Sequence, residues 1–125
     1  MKSRLAIRLW ATDPKLPHLC ATPFFYAAAA AATSDEIEVH FAGKSVQLLV
    51  RGLTGRLYAG IDRTHGIYAH MPQARRFGAP FYACREAPGA HGVDPAMFVP
   101  EVAGIAGAAA FLGRVLNPHR STLVF

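Results

Sequence analysis

Leu5-Ala6-Ile7-Arg8-Leu9-Trp10-Ala11, then Thr22-Pro23-Phe24-Phe25-Tyr26 with an alanine block to Ala32, then Glu36-Ile37-Glu38-Val39-His40-Phe41-Ala42: this stretch decides the fold. The first run is apolar on both faces apart from Arg8 and reads as a strand buried within a sheet. Asp13-Pro14 and Pro17 break it into a loop that carries His18 and Cys20. Thr22 as N-cap with Pro23 at the first helical position starts a helix, which runs from Phe24 to about Thr33 because alanine is the best helix former. Ser34-Asp35 makes a turn, and residues 36–42 alternate polar and apolar side chains with the period of a strand. Strand, helix, strand in this order is the signature of parallel pairing through a crossover.

Working outward, Gly43 ends the second strand and Ser45 to Val50 begins another helix. Residues 51–63 contain Gly52, Gly55 and Gly60 without a clear period and read as loop. Thr64 to Phe77 is expected to be helical, with Pro72 as a break, and Gly78 as its stop. Ala79-Pro80-Phe81-Tyr82-Ala83-Cys84 is a third strand leading into Arg85, and Pro88, Gly89 and Gly92 mark a loop beyond it. Asp94-Pro95 repeats the cap-plus-proline start for a short turn through Val99. Val102–Ile105 is a short strand, Ala108–Leu116 a helix closed by Asn117-Pro118, and Ser121–Phe125 a last strand. The expected architecture is one α/β domain spanning residues 1–125, a three-layer α/β/α sandwich with about five mostly parallel strands.

Composition sets the bounds. The 125 residues are 52% hydrophobic and only 17% charged, against a usual charged share of about 25%. Much of the apolar content is 23 alanines, so close backbone approach and self-association are expected to complete the burial. The net charge of +5 comes mostly from isolated arginines, without the clustered basic residues and interleaved exposed aromatics of a nucleic-acid surface. A positive site for small anions fits better. Arg8 cuts the first apolar run too early for a signal-peptide core, and Pro23–Ala32 is about half the ~20 residues that span a bilayer. The reading is therefore cytoplasmic, with no membrane and no nucleic-acid partner.

In a parallel α/β sheet the ligand site lies beyond the carboxyl ends of the strands. The loops Thr12–Ala21, Gly43-Lys44, Arg85–Gly92 and the Gly104 region converge on that edge, bringing His18, Cys20, Lys44, Cys84, Arg85 and His91 with them. Cys84 is the leading candidate. A neighbouring cation and helix-end amides stabilise a thiolate, and the thiolate is the nucleophile; the alternative is a small core residue at a strand end. Arg85 is placed to favour the thiolate and His91 to supply a proton. Cys20 lies just before a helix start and is a secondary candidate as a resolving thiol, or else packs against the helix; His18 and Lys44 are also secondary. The histidine and cysteine spacings match no zinc motif, and His40, His65, His70 and His119 read as structural or surface groups. There is no G-x-G-x-x-G after the first strand, no G-x-S-x-G, and no paired carboxylates, so no dinucleotide cofactor, hydrolase elbow or metal is expected. Glu86 and Glu101 are local hydrogen-bond partners at most.

The Thr22-Pro23-Phe24-Phe25-Tyr26 helix start with its alanine run, the Glu36–Leu49 segment, Gly78–Cys84, Val102–Gly107 and the closing Ser121–Phe125 together resemble the DsrE-like proteins over nearly the whole chain. The resemblance implies a flavodoxin-like three-layer fold assembled as a homotrimer or homohexamer. It further implies that Cys84 matches the cysteine that, in sulfur-handling members, accepts persulfide sulfur and passes it to a partner protein. A sulfur relay or sulfurtransferase-like role is thus expected. Two alternatives remain: a non-catalytic oligomer that binds a small molecule or anion, and a redox sensor in which Cys20 and Cys84 pair reversibly.

Overall fold

The computed structural model describes residues 4–33, 36–58 and 66–125. The expected Ser34-Asp35 turn, the Gly60 part of the long loop, Thr64 and His65 lie outside those residues. Among the described residues, five strands form one sheet: β1 (Arg4–Leu9), β2 (Glu36–Phe41), β3 (Phe81–Ala83), β4 (Val102–Ile105) and β5 (Arg120–Val124). Their spatial order is β4-β3-β2-β1-β5, and every neighbouring pair is parallel. The helices are α1 (Thr22–Ala32), α2 (His70–Arg76), α3 (Ala87–Ala90) and α4 (Ala108–Val115).

The order of strands dictates where the helices go. From β1 to β4 the chain steps across the sheet in one direction, and from β4 it returns past β1 to β5. Right-handed crossovers in opposite directions must cross opposite faces. Accordingly α1 and α2 pack together on one face, while Phe111 of α4 lies against Arg8 and His40 of the other. On the first face Ile7 and Leu9, Val39 and Phe41, and Phe81 and Ala83 meet Phe24 and Ala27 of α1 and Met71 and Ala74 of α2 in one buried cluster. Its centre is an aromatic trio, with ring centroids 6.0 Å apart for Phe24–Phe41, 5.9 Å for Phe24–Phe81 and 5.4 Å for Phe41–Phe81.

Most expected elements are present within a residue or two of their expected ends, and three segments differ. Gly43–Leu49 is a 3-10 segment, not the start of an α-helix. The hydroxyl of Ser45 donates to the carbonyl oxygens of Leu9 (2.8 Å) and Ala42 (2.7 Å), tying the segment to the ends of β1 and β2. Gly43, at φ 58°, permits the turn into it: a Cβ there would sit 3.2 Å from the Trp10 carbonyl oxygen in a conformation side chains rarely adopt. Within the expected Thr64–Phe77 helix, the α-helix begins only at His70, after a 3-10 turn at Ile67–Ala69. Pro72 does not break it, because in the first turn its missing N–H costs no intrahelical bond. Finally, the segment after Cys84 is not all loop. It contains the short helix α3, whose second position is Pro88 and which closes before Gly92 at φ 66°. Asp94 caps its turn as read from the sequence, accepting from the Ala96 amide at 3.0 Å.

Candidate functional site

The site is built on the α4 face of the sheet, at the carboxyl ends of the central strands. Strand alternation sends Arg8, His40 and Tyr82 to this face, and the register places them side by side in one row across β1, β2 and β3. Glu38 precedes His40 by two residues and so points the same way. Cys84 follows Tyr82 by two, which sets it beyond the row on the same face. Its amide donates to the Phe41 carbonyl oxygen at 2.8 Å, so the strand pairing carries on into the cysteine.

Helix α4 roofs the row. Phe111 is buried, its ring edge-on to His40 with centroids 5.1 Å apart, and the Arg8 guanidinium lies 4.9 Å from the Phe111 ring centre. Arg114, one turn on, clamps Glu38: its Nε donates to Oε2 at 2.7 Å and Nη2 to Oε1 at 3.4 Å. Nη1 of Arg114 also donates to the Ala110 carbonyl oxygen at 2.8 Å. His40 is 4% exposed, and its Nε2 lies 3.0 Å from Oε2 of Glu38. Burial pushes the Glu38 carboxyl up, but the hydrogen bonds and charges of Arg114 and His40 outweigh it and hold the group below its ordinary value. Glu38 is therefore a carboxylate that can only accept, and Nε2 of His40 carries the hydrogen. Burial, with smaller help from Arg114 and Arg8, lowers the His40 pKa despite Glu38, so the ring is neutral near pH 7. Its remaining nitrogen, Nδ1, is a buried acceptor with no hydrogen-bond partner among the described residues.

A small pocket opens at the end of this row, lined by Arg8, His40, Ala42, Cys84, Ala106–Ala108 and Phe111. The cavity is small, about 10 Å³, at the lower bound of what one water molecule needs. Gly107 is the N-cap of α4, and no side chain caps that end, so the first amides of the helix are free to meet an anion. The pocket thus gathers one thiol, one guanidinium, one neutral imidazole and one helix amino end.

The expected site residues divide around it. Cys84 lines the pocket, half-buried, and its thiol donates to Oε2 of Glu86 at 3.6 Å. Arg85 is exposed beside the pocket, its side chain passing 3.7 Å from the Cβ position of Gly107. His91, half-buried past α3, is not among the lining residues. Cys20 is fully buried in the core, with Sγ 3.4 Å from the Asp13 carbonyl oxygen and 3.5 Å from that of Leu16. Burial, and then the charge of Asp13, push its thiol up to about 11. His18 is exposed, and Lys44 is exposed in an ion pair with Asp13 at 3.6 Å. Both cysteines are free thiols. Arg8, Glu38 and His40 are the residues to which the sequence reading gave no role in the site; the signals for them were a lone arginine in an apolar strand and the polar phase of the alternating strand beside it. Glu101 is a local partner, accepting from the Tyr68 hydroxyl at 2.7 Å.

No family model matches the chain, and no curated protein sequence does either. Solved structures do. The YchN protein of E. coli superposes with a TM-score of 0.77 over 100% of both chains at 13% identity. The chain has the DsrE-like, three-layer α/β/α fold. A protein of unknown function from Methanobacterium thermoautotrophicum, MTH1491, gives a TM-score of 0.69 at 16% identity over 99% of this chain and 100% of its own. BT1422 of Bacteroides thetaiotaomicron, another conserved protein of unknown function, gives 0.67 at 16% identity over 97% and 94%. At these identities the likeness speaks for the fold alone. Among the described residues, no helix is long and apolar enough to cross a membrane, and no three His, Cys, Asp or Glu side chains are grouped to hold a metal ion.

Proposed function

We propose that this protein carries sulfane sulfur on Cys84, taking it from a persulfide donor and passing it to an acceptor thiol. One observation carries the reading: of the two cysteines, Cys84 opens into a pocket that also holds a guanidinium and an uncapped helix amino end, whereas Cys20 is sealed in the core. A persulfide ionises more readily than a thiol, so the positive groups that draw the donor in also hold the product as its anion. The experiment is intact-protein mass spectrometry after exposure to glutathione persulfide. The wild type is expected to gain one sulfur atom and Cys84→Ser none; a wild type that gains none overturns the reading.

Arg8 and the α4 amino end also support a second reading, a pocket that holds a small anion without covalent chemistry. That reading expects anion-dependent thermal stabilisation to survive Cys84→Ser. For either role we propose a homo-oligomer, a trimer or hexamer, with donor and acceptor proteins as its other partners. Leu112 and Val115 of α4, Leu116 at its C-cap and Val124, on the α4 face of the neighbouring β5, are exposed apolar side chains, a surface suited to a second copy.

A further inference from the structure

The sulfur reading leaves open what makes the Cys84 thiol a nucleophile. We infer that His40 is its base: Nδ1 of the ring takes the thiol proton, and the pocket the two residues share seats the outer sulfur of the incoming persulfide. This deepens the proposed sulfur-carrier role and rests on it for the identity of the substrate. The inference begins from a group without a function in the fold. Nδ1 of His40 is buried and has no partner among the described residues, although a buried polar atom normally finds a hydrogen bond. The same side chain lines the pocket that Cys84 lines. His40 pairs with Tyr82, and Cys84 lies two residues further on, so the two are diagonal neighbours roughly 7–8 Å apart along the backbone; the thiol rests on Glu86, and the shared pocket is the space across which its proton passes to Nδ1.

The ring is also held as a base should be held. Glu38 fixes Nε2 as the donor and leaves the lone pair on Nδ1, while Arg114 fixes Glu38 from α4. Nucleophile, imidazole and orienting carboxylate follow the order in which activated nucleophiles are commonly arranged. Glu86 also touches the thiol, but a carboxylate is ordinarily ~4 pH units more acidic than a thiol, so it accepts the hydrogen bond without taking the proton. The charged and titratable groups facing His40 are Glu38 from its own strand, Arg8 from β1, Tyr82 from β3, Cys84 past its end, and Arg114 from α4.

The step balances without a further reagent. The proton of Cys84–S–H passes to Nδ1, and the thiolate attacks the outer sulfur of R–S–S–H. The S–S bond of the donor breaks, its electron pair leaves on R–S⁻, and that thiolate takes the proton back from His40. The products are Cys84–S–S–H and R–S–H. Arg8 and the first amides of α4 then face the persulfide, which ionises readily.

The test is the rate of Cys84 alkylation by iodoacetamide across a pH series, with Cys20 followed separately by peptide mapping. In the wild type the pH–rate profile is expected to carry a step that follows the His40 ring titration, measured independently by NMR. His40→Asn, shown folded by circular dichroism, should lose that step and react roughly tenfold or more slowly at neutral pH. Glu86→Gln should keep it. An unchanged profile in folded His40→Asn overturns the inference. Should that variant fail to fold, Cys84→Ser decides: replacing the thiol must move the His40 titration, and an unmoved titration overturns the inference equally. Sulfur uptake is scored on the same samples. A His40-dependent step without sulfur uptake would retain the base and sink the sulfur-carrier role, and sulfur uptake without the step would do the reverse.

Discussion

On the face covered by α1 and α2, the sheet presents Ile7, Leu9, Val39, Phe41 and Phe81, all fully buried, against helices of alanine, phenylalanine and methionine. On the face under α4 the same strands present Arg8, Glu38, His40 and Tyr82, roofed by a helix of only eight residues. One face spends its side chains on packing, and the cysteine in that packing, Cys20, is sealed from solvent with its thiol pushed up to about 11 by burial. The other face gives up apolar burial for a row of polar groups, and its cysteine ends in a pocket. Parallel sheets are ordinarily apolar on both sides, so a polar row beneath a helix is the departure that marks a site.

This contrast can be broken from either side. The largest effect is expected from Phe81→Ala, which removes the centre of the aromatic trio and should cost about 3–5 kcal/mol in chemical denaturation. A cost below about 1 kcal/mol would mean that the first face is not the stability core. Glu38→Gln on the second face should cost less, about 1–2 kcal/mol, because Arg114 keeps a partial hydrogen-bond partner and remains partly in solvent. It should also alter the acid response. His40 has a lowered pKa in the folded protein, so between that value and the ordinary 6.5 the unfolded chain binds the extra proton, and stability falls as pH drops through this window. Glu38, likewise lowered, adds a further loss below its ordinary 4.5, since only the unfolded chain takes up its proton readily. Melting curves from neutral to mildly acidic pH should show both losses, and Glu38→Gln should remove the lower one. A melting temperature indifferent to pH would contradict the buried pair. The smallest effect on chain stability is expected at Leu116→Ser: the side chain is 78% exposed, so the fold should lose less than about 0.5 kcal/mol. Its readout is assembly, because sizing by light scattering should shift toward the monomer if α4 meets a second copy, and an unchanged mass would remove α4 from the interface.

Much of the fold was legible because its signals are local. The alanine run, the alternation in 36–42 and the Asp94-Pro95 cap are each decided within a few residues, and each is present; Thr22, expected as the N-cap, is instead the first helical residue after Ala21 and caps nothing, although Pro23 does fall in the first turn. The misread segments had weaker local signals: Ser45 is tied to the distant Leu9 carbonyl at the end of β1 as well as to the nearby Ala42 carbonyl, and α3 is too short to show a period. At the site, Cys84 was legible as a strand-end thiol; Arg85, expected beside it to favour the thiolate, is exposed at the pocket edge, and the guanidinium lining the pocket is that of Arg8. His40 was read as structural because its strand alternates and such a polar phase ordinarily faces water. What that reading lacked was the β4-to-β5 return crossover, which carries α4 over this face and buries the polar phase. Arg8 was noticed only as an interruption of an apolar run. That it stands beside His40 follows from register, which local pattern does not specify.

The measurement that bears most directly on the central claim is a peptide map of the native protein after brief exposure to a persulfide donor. The account predicts one added sulfur atom on the peptide that contains Cys84 and none on the peptide that contains Cys20. Sulfur on Cys20, or on neither cysteine, would contradict it.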